Sequence, residues 1–150
     1  MAQNSAGIKL YYGTSDTGST KPITWTEIPD VTAIPDLGGE PNMLNVTPLS
    51  ETVQHRYIPG LKDPGGALAY TVLMTPVMLT ATDAASTVPA SPAKIAFAVE
   101  FPGELDCHYW YYGVGVNVTP GETEVDAPIT STFYTSVESS ILKAAGPVNA

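Results

Sequence analysis

The sequence predicts a mainly β chain carrying one short helix and a long arm, and three observations lead there. Gly and Pro supply 13 and 14 of the 150 residues, more than average usage. Eighteen Thr and eight Tyr favour a pleated, half-buried surface over a helix. Several segments also alternate large apolar side chains with polar ones at period two, the repeat of a strand.

Taken in order, the elements follow from that repeat. In residues 8–12 the side chains of Ile8, Leu10 and Tyr12 share one parity, and turn formers fill residues 13–19. Residues 23–28 alternate again and stop at Pro29-Asp30. Residues 31–66 hold five Pro and five Gly, a density that interior strands and helices reject, so they read as an arm or loop in which only 43–47 is extended. Residues 66–74 are apolar on both parities, as in a strand covered on both faces. Pro76 suits a first helical position, and Met78, Leu79 and Thr82 lie at helical spacing, which predicts a short helix over 77–85. Residues 87–92 are loop.

The clearest strand comes next. Ile95, Phe97, Val99 and Phe101 oppose Lys94, Ala96, Ala98 and Glu100. Over 108–118 the even positions Trp110, Tyr112, Val114, Val116 and Val118 form an apolar face opposed by Tyr109, Tyr111, Gly113, Gly115 and Asn117. Over 125–137 the odd positions Val125, Ala127, Ile129, Phe133 and Val137 oppose Asp126, Thr130, Thr132, Tyr134, Ser136 and Glu138. Strands this long exceed the common length and suggest a large sheet. The expected core is Phe97, Val99, Trp110, Val114, Val125, Ile129 and Phe133, each large side chain contributing roughly 1.5–3 kcal/mol on burial. Residues 143–150 read as a flexible tail.

Length and charge set further bounds. One domain spanning 1–150 is expected, long enough to hold a core without disulfides or a metal. The single thiol, Cys107, cannot form an internal bridge or a zinc cluster. Fifteen acidic residues against six basic give a net charge of −9, which argues against any partner held tightly by its phosphates. The opening MAQNSAGIKL lacks a basic start followed by an apolar stretch, and no window reaches the length of a membrane helix, so neither a secretory signal nor a membrane span is expected.

Chemistry-bearing residues are sparse. His55 sits in the arm beside Arg56 and reads as solvated or as part of an interface. Cys107 and His108 are adjacent, so in a strand they point to opposite faces and pair poorly. The tract Tyr109-Trp110-Tyr111-Tyr112 has no interleaved basic residues and reads as core and subunit contact rather than a stacking platform. Glu122, Glu124 and Asp126 alternate but lack a calcium-loop pattern, leaving a solvated acidic rim. The sequons at Asn45 and Asn117 read as chance matches, and GLKDPGG lacks the spacing of a phosphate loop. No catalytic residue, cofactor or metal site is expected.

The arm is the informative segment. Trp25 and Ile28, the turn Leu37-Gly38-Gly39-Glu40-Pro41, the step Val46-Thr47 with Leu49, and Tyr57 to Asp63 followed by Gly65-Gly66 run in an order that resembles the major tail tube proteins of long-tailed, siphovirus-type bacteriophages. Those motifs span about a third of the chain, and the succession of strands, arm, helix and long strands extends the likeness over most of it.

The resemblance implies a β-sandwich or half-barrel with one flanking helix, assembling into a ring-shaped β-barrel. It implies a structural virion protein, not an enzyme, assembled in the host cytoplasm into the tail as stacked hexameric rings that conduct DNA. Implied partners are further copies of the chain, tape-measure proteins, and tail-terminator or tail-tip proteins, with DNA passing through and not tightly bound. On this basis Asp126, Thr130, Thr132, Tyr134, Ser136 and Glu138, joined by Tyr109, Tyr111 and Asn117, are expected to line an acidic, hydroxyl-rich lumen. Met43, Leu44, Leu49, Tyr57, Ile58 and Leu61 are expected to make inter-subunit contacts. Two other readings share the strands and the acidity: a monomeric immunoglobulin-like decoration or adhesion domain, and an inner-tube subunit of a contractile injection machine.

Overall fold

The computed structural model describes residues 7–37, 42–60, 67–121 and 123–148. Along the chain lie β1 (Lys9–Ser15), β2 (Trp25–Ile28), β3 (Val31–Ala33), β4 (Met43–Asn45), β5 (Tyr57–Pro59) and β6 (Ala67–Leu73). They are followed by α1 (Pro76–Ser86), β7 (Lys94–Phe101), β8 (Cys107–Tyr112), β9 (Gly115–Pro120), β10 (Thr130–Ser136) and β11 (Leu142–Ala145). A five-stranded sheet has the order β11-β8-β7-β1-β2, a four-stranded sheet the order β3-β6-β10-β9, and β4 pairs with β5 as a separate hairpin. Neighbouring strands are antiparallel throughout.

The two larger sheets close on one core. Leu10, Ile28, Ile95, Phe97, Val99 and Tyr111 come from the five-stranded sheet, and Leu68, Tyr70, Val72 and Phe133 from the four-stranded one. Phe97 sits at the centre, with ring centroids 5.8 Å from Tyr111 and 5.9 Å from Phe133, spacings that add to plain area burial. Helix α1 lies against β9 and β2. Thr75 caps its first turn by accepting from the Met78 amide at 3.2 Å, and Pro76 follows where a missing N–H costs nothing. Its buried residues, Met78, Ala81, Thr82 and Ala85, recur every three or four positions and so share one stripe.

The expected strand over 95–101 and the helix over 77–85 are both present, each longer by one or two residues. The expected strand over 108–118 is two strands in two sheets, because the chain crosses the sandwich at Gly113-Val114. The Gly113 amide donates to Ile95 O of the five-stranded sheet, while Val114 O accepts from the Ser136 amide of β10, both at 2.9 Å. A Cβ on Gly113 would collide with the Ser136 carbonyl, so glycine is required at the crossing.

That crossing reverses the facing of the aromatic tract. Tyr111, expected opposite the core, is fully buried in it, while Trp110 lies on the outer face of the five-stranded sheet in a second cluster with Trp25, Ala96, Ala98 and Val148. The expected strand over 125–137 starts only at Thr130. Val125 is 92% and Ile129 50% exposed, not core, because residues 125–127 make a turn in which Asp126 has φ +63°. Val114 is partly buried against the main core as expected. Strand β6 is fully covered on one face and only half covered on the other. Residues 143–145, expected to begin a flexible tail, belong to β11, and Val148 is buried.

Candidate assembly surfaces

The sandwich has two outward faces, and they differ. On the five-stranded sheet the chain covers itself. The Val148 amide donates to Glu100 Oε1 at 3.0 Å, and the Tyr11 hydroxyl donates to Glu100 Oε2 at 3.2 Å. His108, buried, bonds Gly146 O through Nδ1 at 2.9 Å and meets Lys21 Nζ through Nε2. Lys21 also stands 5.8 Å from the Trp110 ring, and the Tyr112 hydroxyl donates to Thr20 O at 2.7 Å. Burial, then Glu100, pushes the Tyr11 hydroxyl up to about 12, and burial lowers the Lys21 ammonium.

The four-stranded sheet faces outward differently. In β10 the side chains of Ser131, Phe133 and Thr135 are buried, whereas Thr130, Thr132 and Ser136 are half-buried and Tyr134 is exposed, so the expected parity of this segment is correct from residue 130 onward. Register places Thr132 between Thr71 and Thr119, and Tyr134 between Ala69 and Asn117. The result is a surface of hydroxyls, amides and methyls. Of the residues expected on it, Asp126 stands off the sheet in its turn, and Glu138 lies two residues past the end of β10, its amide donating to Tyr112 O at 2.8 Å. Asn117 joins the surface. Tyr111 does not, and Tyr109 is half-buried with its ring edge-on to Phe101 at 5.7 Å.

Behind that surface runs a buried hydroxyl chain that the alternation did not reveal. The Tyr70 and Tyr111 hydroxyls are 2.7 Å apart, and Tyr111 Oη lies 2.8 Å from Thr135 Oγ1. These bonds join β6 and β10 to β8 across the core. Burial holds both phenols neutral, raising Tyr70 and pushing Tyr111 up to about 12.

The edges of the four-stranded sheet are open among the described residues. The Gly121 amide donates to Thr130 O at 2.8 Å, so the odd positions of β9 face β10 and the backbone of Val118 faces away. On the other side β3 pairs with only Thr71 and Val72 of β6, and the Leu73 amide reaches Asp30 O at 2.8 Å. The backbone groups of Ala67 and Ala69 therefore point outward past the end of β3. Free edges normally carry charge to block pairing. The edge strands of the five-stranded sheet do so, with Glu27 on β2, paired to Lys9 at 3.7 Å, and Lys143 on β11. None of β3, β6, β9 or β10 contains Asp, Glu, Lys or Arg, although such residues make up 14% of the chain.

The arm is a third surface. Every residue of β4 and β5 is exposed, including Met43, Leu44, Tyr57 and Ile58, and Leu49 and Val53 at the tip are more exposed still. Its loop is nevertheless ordered by its own bonds: the Arg56 amide donates to Thr47 Oγ1, Thr47 Oγ1 to Asn45 Oδ1, and Arg56 pairs with Glu51, at 2.6–2.7 Å. Leu61 lies outside the described residues, as do residues 38–41 and 62–66 of the family motifs and Glu122. A groove of about 650 Å³ beside β3 is lined by Ile8, Val31, Ile34, Asp36, Phe101 and Tyr109 among others. Among the described residues no cluster of His, Cys, Asp or Glu is arranged to hold a metal, and no helix is long and apolar enough to cross a membrane.

A family model described as phage tail tube protein, TTP, matches residues 5–146. The chain belongs to the phage tail tube protein family. It is a structural subunit of the virion tail, which sets aside the monomeric decoration reading. Comparison with curated proteins gives no match. Among solved structures, this tail tube protein is similar to a chain in the tail of an empty GTA particle, refined with C6 symmetry, at 13% identity and a TM-score of 0.64, covering 96% of this chain and 100% of that one. A chain in the sheath/tube terminator of a PVC extracellular contractile injection system gives 8% identity and a TM-score of 0.64, covering 97% and 99%. One in the baseplate of the anti-feeding prophage gives 10% and 0.58, covering 97% and 98%. At such identities the likeness is one of fold, shared between contractile injection systems and the GTA tail.

Proposed function

We propose that six copies of this tail tube protein join side by side into a ring, with the four-stranded sheets continuous around a bore, and that rings stack into a conduit for DNA. The observation that carries this is the contrast between edges. The four-stranded sheet ends in uncharged strands with open backbone groups, while the five-stranded sheet has charged edge strands and an outer face dressed by its own tail and β1–β2 loop. Ring closure pairs the open groups, which otherwise template aggregation. The sixfold count follows the C6 symmetry of the GTA tail, whose chain has this fold.

In that ring the outward face of Thr130, Thr132, Tyr134 and Ser136 lines the bore, with Asp126 and Glu138 towards its two ends. The arm reaches the neighbouring ring, covering Met43, Leu44, Leu49, Tyr57, Ile58 and Leu61 against it. Five of them, Met43, Leu44, Leu49, Tyr57 and Ile58, are exposed on one projection, otherwise an aggregation liability. Tape-measure and tail-terminator or tail-tip proteins are the partners at the lumen and the tube ends. Negative-stain microscopy of the purified protein, with native mass measured alongside, tests the reading: rings or tubes are expected, and a monodisperse monomer at all concentrations rejects it.

A further inference from the structure

The sequence suggested an acidic lining, and the placement of the charges changes that. The geometry points to a bore wall that is electrically neutral over its central belt, so that DNA passes it without ionic attraction or ionic repulsion. This inference rests on the reading that the outward face of the four-stranded sheet lines the bore.

The belt consists of Thr71, Asn117, Thr119, Thr132, Tyr134 and Ser136 with small apolar neighbours, set side by side by the register of β6, β10 and β9. An inward face is free of charge because burial demands it. An outward face is under no such constraint, and water-facing sheet surfaces ordinarily alternate with charged residues. Here both faces of all four strands lack them. Among the described residues, acidic groups begin where the strands stop: Asp126 in the turn before β10, Glu138 after it, and Asp30 beside Leu73, where its carboxylate accepts from Thr75 Oγ1 at 2.7 Å.

Seven residues of β10 span about 23 Å at the rise of an antiparallel strand. Charges at the two ends are screened within about 8 Å at physiological ionic strength, so the middle of the belt sees little of them. A basic wall would hold DNA by releasing counterions, and each phosphate contact would steepen the salt dependence. An acidic wall would exclude a polyanion at low salt. Hydroxyls and amides do neither: they exchange hydrogen bonds with water and phosphate alike at little net gain.

The test measures entry of a short fluorescent single-stranded oligonucleotide into assembled tubes, against an uncharged polyethylene glycol of equal hydrodynamic radius. Salt is varied from about 0.1 to 1 M, over which the screening length falls from about 10 to 3 Å. For wild-type tubes the ratio of the two partition coefficients should change less than about twofold, since a neutral belt leaves nothing to screen. Thr132→Lys tubes should retain the oligonucleotide with strong salt dependence, and Thr132→Glu tubes should exclude it until salt is added; Asn117→Lys replaces Thr132→Lys if that variant fails to assemble. Wild-type tubes that behave like Thr132→Glu overturn the neutral belt. Failure of the underlying reading looks different: Thr132→Cys in intact tubes should react with a small maleimide and be shielded from a polymer-linked one, with buried Cys107 contributing little background. Rapid labelling of Cys at 132 by the polymer along the whole tube places the face outside and removes the lumen assignment itself.

Discussion

At the scale of single residues, the Tyr70, Tyr111 and Thr135 hydroxyls tie the two sheets together through the core. Tyr111→Phe removes the middle member and leaves two buried polar groups short of a partner, which should cost about 1–3 kcal/mol. In a chain of this size that lowers the melting temperature by roughly 2–4 °C per kcal/mol, and calorimetry of the soluble subunit will show it. An unchanged melting temperature would mean the remaining hydroxyls are satisfied elsewhere. The same tyrosines make the fold sensitive to alkali. Tyr11 and Tyr111 are pushed up to about 12 and Tyr70 is raised, against an ordinary value near 10. The neutral forms are favoured in the folded state, so their stabilisation is complete below about pH 10 and is lost as pH rises towards 12. Circular dichroism should therefore change in that window together with the last part of the tyrosinate absorbance; absorbance complete for all eight tyrosines near pH 10 with the fold intact would contradict it. None of this was legible in the sequence, where Tyr111 looked like a surface residue because alternation was carried through Gly113 as if one strand continued. Two-fold periodicity tells which residues share a face but not where a chain leaves one sheet for another. The signal that was available is the pair Gly113 and Gly115, both of which sit where a Cβ would collide.

At the scale of elements, β7 and α1 were readable because each meets a core on a single stripe, so burial writes its period into the sequence. The parity of β10 was readable for the same reason. Its start was not, since Val125 and Ile129 are apolar but lie in an exposed turn. Strands β3, β5 and β11 were missed: the first two have three residues each and the last is made of Leu, Lys and Ala, too little for a periodic signal. On the proposed assembly two elements make the joints, and each should be breakable without unfolding the sandwich. Deleting residues 40–62 removes the exposed hairpin and should leave a folded, soluble subunit or ring that does not form tubes; tubes of normal length from the deletion would reject the arm's role. Ala69→Pro removes an N–H that points away from β10, beyond the reach of β3. It should preserve the circular dichroism spectrum while abolishing rings in native mass spectra, and wild-type rings from this variant would show that the open edge of β6 is not a joint.

At the scale of the whole molecule, the account comes down to an asymmetry in where a strongly acidic chain keeps its charges. Among the described residues they sit on the five-stranded sheet, on α1, in the loops and on the arm, and are withheld from the four-stranded sheet on both faces and both edges. Composition alone disclosed the sign of the net charge, and the arm's motifs disclosed the family. Neither could disclose the distribution, which exists only once the strands are sorted into sheets. Cryo-electron microscopy of tubes assembled from the purified protein tests the central claim most directly. The account predicts six-membered rings in which β9 of one subunit lies beside β3 and the open half of β6 of the next, with Thr132 and Tyr134 facing the bore. Density showing these edges capped within each subunit, or this face turned to the outside of the tube, would contradict it.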